Sequence, residues 1–158
     1  MMCAHFTKNL IGFFTLMTLI SCNDKKQEFI SLDHMTFTNS YYKNDIKISF
    51  YVLIANPTTD DLELKNTIAK YVSGRLGSNK FLKNTKVSSF NFVFYEKTAN
   101  TSYFIKNIES HDALNTNEIS NYKEDYIANY YVVKCNGGST DKLYLFDRTE
   151  EIISNNCK

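Results

Sequence analysis

Thiols, imidazoles and paired carboxylates are the groups with which this sequence could do chemistry, and they are sparse. Cysteine occurs at Cys3, Cys22, Cys135 and Cys157, and histidine at His5, His34 and His111. Cys135 and Cys157 have neither CxxC spacing nor a neighbouring histidine, a poor pattern for metal ligation. A catalytic histidine needs a nucleophile to activate or a carboxylate to orient its ring. His111 precedes Asp112 in a polar segment, but sequence neighbours seldom face each other, and His34 lies in or beside another polar stretch. Asp60, Asp61 and Glu63 cluster where a helix is expected to begin, and negative charge at that end complements the helix dipole. No EF-hand, G-x-S-x-G, H-E-x-x-H or P-loop spacing occurs. Gly137-Gly138 lacks the glycine pattern and following helix of a phosphate loop and reads as a hairpin turn. No catalytic residue, metal or cofactor is expected.

Cys22 stands apart because of what precedes it. Lys8 and His5 make a weakly positive head, residues 10–20 (LIGFFTLMTLI) are uncharged and apolar, and the chain turns polar after Cys22. A membrane-spanning helix needs about 20 predominantly apolar residues. This run is too short for that and suits the apolar region of a secretory signal. At its end, Leu19-Ile20-Ser21-Cys22 resembles the lipobox of bacterial lipoprotein precursors. Leu19 is the aliphatic residue three before the cysteine and Ser21 the small residue just before it, while Ile20 is bulkier than usual for the middle position. The resemblance covers residues 1–22 only. It implies a diacylglycerol group on the Cys22 thiol and cleavage before Cys22, hence a membrane anchor on the bacterial envelope, on its periplasmic or cell-surface side. One acyl chain holds a protein only marginally, whereas two or three hold it lastingly.

Residues 1–21 are therefore read as a signal peptide, 22–34 as a polar tether after the lipidated cysteine, and 35–158 as one globular domain. Export places Cys135 and Cys157 in an oxidising compartment, where a disulfide between them is expected; two buried free thiols are the alternative. Formal net charge is +1, and the charges are interspersed without a basic stripe, so no nucleic-acid partner is expected.

The elements follow from hydrophobic period. Residues 46–55 (IKISFYVLIA) alternate in β-branched and aromatic side chains and predict a central strand, covered on both faces in its second half. Asn56-Pro57 ends it. Thr58 to Asp61 then offer cap and first-turn residues for a helix with Leu64, Ile68, Tyr71, Val72 and Leu76 on one face and Gly77 as its stop. Residues 87–96 (VSSFNFVFYE) form a second strand with Phe90, Phe92 and Phe94 on one face. Residues 98–110 fit a short helix or a short strand, and 110–125 a long loop. Residues 126–135 and 142–147 read as a hairpin with a slightly long loop, and 149–158 as a tail. The fold class is α+β: one mixed or antiparallel sheet, at least one amphipathic helix packed on it, and a C-terminal β-hairpin.

If the first two strands are parallel, residues 56–60 and 97–101 share the carboxyl edge of the sheet, where open α/β sheets tend to bind ligands. Tyr41, Tyr42, Tyr126, Tyr130 and Tyr131 could instead offer contact surface to a protein partner, or merely cover the sheet. The function expected is a lipid-anchored, non-enzymatic binding domain of the envelope, an inhibitor or immunity lipoprotein being one variant. The alternative is a small envelope enzyme whose active site follows no familiar pattern.

Overall fold

The alternating stretch after Asp45 builds the centre of the molecule. In the computed structural model, which describes residues 25–42, 45–78, 86–106 and 118–158, strand β3 runs Asp45–Ala55. Cys22, the signal segment and the His111-Asp112 pair lie outside the described residues. Two segments precede β3: β1 (Glu28–Ser31) pairs antiparallel with its second half, and β2 (Phe37–Tyr42) with its first half. A 3-10 turn at Asp33–Met35 joins them, so β1 and β2 form one interrupted edge. Beyond β3 come β4 (Val87–Glu96), β5 (Tyr126–Cys135), β6 (Gly138–Leu145) and β7 (Glu151–Asn155). Among the described residues only β3 and β4 pair in parallel, and the other pairs are antiparallel. This is a mixed seven-stranded sheet of α+β type.

Helix α1 (Asp61–Ser78) makes the crossover from β3 to β4. Asp60 caps it: its Oδ1 accepts from the Glu63 N–H at 2.8 Å, and the Thr58 hydroxyl donates to Glu63 Oε2 at 2.9 Å. Leu64, Ile68 and Val72 are buried against Ile48, Phe50, Val52 and Ile54 of β3 and Phe90, Phe92 and Phe94 of β4. Phe50 and Phe92 stack with centroids 4.8 Å apart. A second, smaller core lies on the opposite face, where Leu53, Val93 and Tyr95 meet Leu32, Met35, Phe104 and Ile119. Phe104 belongs to a short helix, α2 (Tyr103–Lys106), which resolves the helix-or-strand alternative there. The β1–β4 half of the sheet is thus covered on both faces, as the second half of β3 suggested.

Several expectations are corrected. Residues 28–34 belong to the fold instead of the tether: the Phe29 ring stacks on Tyr71 of α1, and Leu32 is buried. The polar look of this segment comes from edge residues such as Asp33, which pairs with Arg75. The helix does not stop at Gly77, because neither Gly74 nor Gly77 adopts a left-handed φ. The hairpin loop is short, with Cys135 opposite Gly138 and only Asn136 and Gly137 between, the latter at φ 79°. Strand β6 consequently begins earlier than residue 142 and ends at Leu145. The expected tail carries a strand, β7. Cys135 and Cys157 form a disulfide, with Cα atoms 5.7 Å apart, fastening the end of the chain to the hairpin. A side chain at Gly138 would place its Cβ 2.2 Å from the Asn156 carbonyl oxygen, so glycine permits that approach.

Candidate functional site

Strands β3 and β4 are parallel, so residues 56–60 and 97–101 do share the carboxyl edge of the sheet. A cleft of about 660 Å³ opens over it, bounded by Lys25, Gln27, Asn56 and Thr58 among others. Several of its polar groups are already engaged within the protein. Gln27 donates to Thr67 at 3.0 Å and accepts from the Thr58 N–H at 3.2 Å, and Glu63 serves the α1 cap. On the β4 side, Thr101 is fully buried and donates to the Glu96 carbonyl at 2.6 Å, while Thr98 donates to Asp125 at 3.0 Å. These contacts close the loop after β4 onto the sheet.

A larger cleft of about 800 Å³ lies at the other end, between the last turns of α1 and the β5–β6 hairpin. Asp141 there accepts from the Tyr130 hydroxyl at 3.2 Å and from Ser139 at 3.1 Å. Lys134 sits over the Phe90 ring at 5.4 Å, and burial lowers its pKa. Residues 79–85, outside the described part, connect the helix and strand that border this cleft.

The face of the sheet turned away from α1 differs in kind. Over β4, β5 and β6 it carries Asn91, Asn129, Tyr131 and Tyr144, with Asn129 directly opposite Tyr144 and Asn91 opposite Tyr131. A cleft of about 200 Å³ is formed there by Tyr126, Asn129, Tyr131, Tyr144 and Asp147. Two irregularities of the backbone build it. The register of β4 against β5 runs Phe94 to Ala128 and then Tyr95 to Tyr126, so Ile127 is an extra residue. Ile127 and Ala128 both pack into the α1 core, and the bulge turns Tyr126 to the opposite face, its ring edge-on to Tyr95 at 5.8 Å. On the other wall, Phe146 and Asp147 are consecutive left-handed residues at φ 50° and 53°, and Arg148 N–H closes the turn onto Leu145 O at 3.0 Å. Left-handed non-glycine residues are uncommon, and a bulky one such as Phe146 more so.

Within the cleft Asn129 Oδ1 and, beside it, Asn91 Oδ1 are buried without a hydrogen-bond partner in the protein, and the Tyr126 hydroxyl, buried with them, has only a loose contact with the Asp147 carboxylate. Such atoms normally find partners, because leaving one unmade costs about 1–3 kcal/mol. Burial, then the Asp147 charge, push the Tyr126 phenol well above its ordinary pKa, and burial also raises Tyr131. Tyr131 and Tyr144 meet edge-to-face at 5.7 Å. The Tyr144 hydroxyl donates to Glu150, which raises the phenol and, together with Lys142, lowers the carboxyl.

The residues singled out by type fall in different places. Tyr126 and Tyr131 reach the cleft. Tyr130 does not: strand alternation buries it against α1, so it offers no surface to a partner. The side chains of Tyr41 and Tyr42 lie outside the described part. His34 is in the 3-10 turn with its Nε2 buried and unpartnered. Asp60, Asp61 and Glu63 are together at the start of α1, where Asp60 caps and Asp61 pairs with Arg148 at 2.6 Å. Among the described residues no group of three or more His, Cys, Asp or Glu could hold a metal ion, and no helix is long and apolar enough to cross a membrane. Asn91, Asn129, Tyr144 and Asp147 were missed. The available signal was asparagine inside strands, a residue that pleated surfaces disfavour. No protein-family model matches the chain, and neither a curated protein nor a solved structure matches it.

Proposed function

We propose that this chain is a lipid-anchored domain of the bacterial envelope that binds a partner protein through the sheet face turned away from α1. An inhibitor or immunity lipoprotein is one form such a domain takes. The anchor rests on the lipobox-like residues 19–22, and the binding role on a single observation. The cleft over β5 and β6 gathers tyrosine rings around buried polar atoms that lack partners within the protein. A partner supplying donors would recover the cost of leaving those atoms unpaired. Aromatic residues of this kind are enriched in interface cores. With lipid on Cys22 and β1 beginning at Glu28, residues 23–27 span at most about 18 Å when extended, so the domain rides close to the bilayer.

Two measurements in the native host test this. Labelled fatty acid enters the full chain and not Cys22→Ala; equal labelling removes the anchor. A photo-cross-linker at exposed Val133, on the open face, captures a discrete protein adduct, whereas one at exposed Lys70 of α1 does not. Identical adducts from both positions, or none, refute the binding face.

A further inference from the structure

The open-face cleft has a definite chemical bias. Its walls are the rings of Tyr126, Tyr131 and Tyr144, its floor carries the unpartnered Asn129 Oδ1, and at its mouth stands exposed Asp147. Ring faces are negative, amide oxygens accept, and a carboxylate adds full negative charge. Every one of these groups favours a cation, and the cations of β6 and of the turn after it are committed elsewhere. Lys142 pairs with Glu150 at 3.0 Å. Arg148 pairs with Asp61 at 2.6 Å and lies over the Phe146 ring at 5.5 Å. Among the described residues Asp147 forms no ion pair. At about 200 Å³ the cleft is below the usual range of about 300–1,000 Å³ for small-molecule pockets. It suits one head group on an aliphatic arm.

We infer that this cleft receives the ammonium or guanidinium group of a lysine or arginine side chain presented by the partner protein. The inference rests on the binding role proposed above and gives it a chemistry. Tyr131 and Tyr144, set edge-to-face, offer a ring surface to the cation, while Asn129 Oδ1 accepts one of its N–H groups. The Tyr126 hydroxyl accepts another, and Asp147 supplies the counter-charge from the rim. The left-handed turn is what carries the carboxylate there, and the bulge is what brings Tyr126 to the same side. Backbone outliers of this kind persist where the surrounding structure over-determines them, and they cluster at binding sites.

The test uses the full-length chain in non-ionic detergent, with tyrosine isotopically labelled and ring signals followed by NMR. The probes are n-butylammonium, n-propylguanidinium and neutral n-pentanol. Saturable shifts of Tyr126, Tyr131 and Tyr144 with both cations, and not with pentanol, are expected. Asp147→Asn, which keeps a side chain tolerant of left-handed φ, weakens cation binding by about fivefold, the upper end of what an exposed charge pair supplies. Tyr131→Leu weakens it as well and leaves the melting curve of the domain cooperative. Equal shifts with pentanol, no saturable shift, or an Asp147→Asn titration that overlays the unmodified protein overturns the inference. Cross-linking at Val133 that continues when the cations do not bind removes the cation chemistry alone and leaves the binding face standing.

Discussion

Replacing Asp147 by glycine should make the protein more stable and less able to bind. At φ 53° the backbone of Asp147 is in the left-handed region, where a side chain costs about 1–2 kcal/mol. Glycine removes that cost but has a more flexible unfolded chain, which offsets about 0.5–1 kcal/mol of the gain. The net stabilisation is about 0.5–1 kcal/mol, which raises the melting temperature by about 1–4 °C in a domain of this size. Asp147→Ala is the control, since it removes the carboxylate but keeps a Cβ on the left-handed backbone. It should melt no higher than the unmodified protein. Both variants should lose affinity for n-butylammonium. If the alanine variant gains as much as the glycine variant, the benefit comes from removing charge, and the argument from backbone strain fails. If glycine lowers the melting temperature, the contact of Asp147 with the Tyr126 hydroxyl outweighs the backbone strain.

Phe92 is 1% exposed and stacked on Phe50, so Phe92→Ala should cost about 3–5 kcal/mol, read from urea or thermal unfolding; a loss under 1 kcal/mol would mean that α1 does not pack as described. The Cys135–Cys157 bridge closes a loop of 22 residues and should contribute about 3 kcal/mol, lost on reduction or in the double serine variant. Peptide mapping without reduction should find the two cysteines linked, and free thiols at both positions would refute the bond. Burial, with smaller contributions from Tyr51 and Asp147, pushes the Tyr95 phenol up to about 12 from an ordinary 10. A raised folded-state value means that this contribution is intact below pH 10 and declines between about pH 10 and 12, as the unfolded chain ionises first. Melting temperatures followed from pH 9 to 12 should fall across that window, with tyrosinate absorbance appearing at the unfolding transition and not ahead of it.

What the sequence made legible was whatever a regular period encodes. Ile48, Phe50, Val52 and Ile54 repeat every second residue and do face α1, and Phe90, Phe92 and Phe94, expected on one face of their strand, lie beside them. Leu64, Ile68 and Val72 repeat at helical spacing and pack on that face. Strands β1 and β7 were obscure for a physical reason. Each is an edge with one partner, so only part of its surface needs to be apolar, and EFIS and EIISN look like linker. Ile152 shows the same economy from the other side, remaining 63% exposed on its strand. The disulfide was anticipated from compartment and not from geometry, because nothing in the spacing shows that β7 folds back along β6.

The cleft was hidden for a more specific reason. In 126–135 a strict two-residue period places Tyr126, Tyr130 and Val132 on one face and Asn129, Tyr131 and Val133 on the other. The bulge at Ile127 breaks that rule at one position, so Tyr126 joins the second set. One inserted residue therefore decides whether two or three tyrosines of β5 and β6 converge. At the far wall, no residue type announces the turn after β6, since Phe146-Asp147 lacks the Asn-Gly or Asp-Gly that such left-handed pairs favour. A turn sequence chosen only for stability would carry glycine there. That it carries a carboxylate facing three tyrosines connects the two departures from ideal local structure to one place on the sheet, the place where polar atoms are left for something else to satisfy.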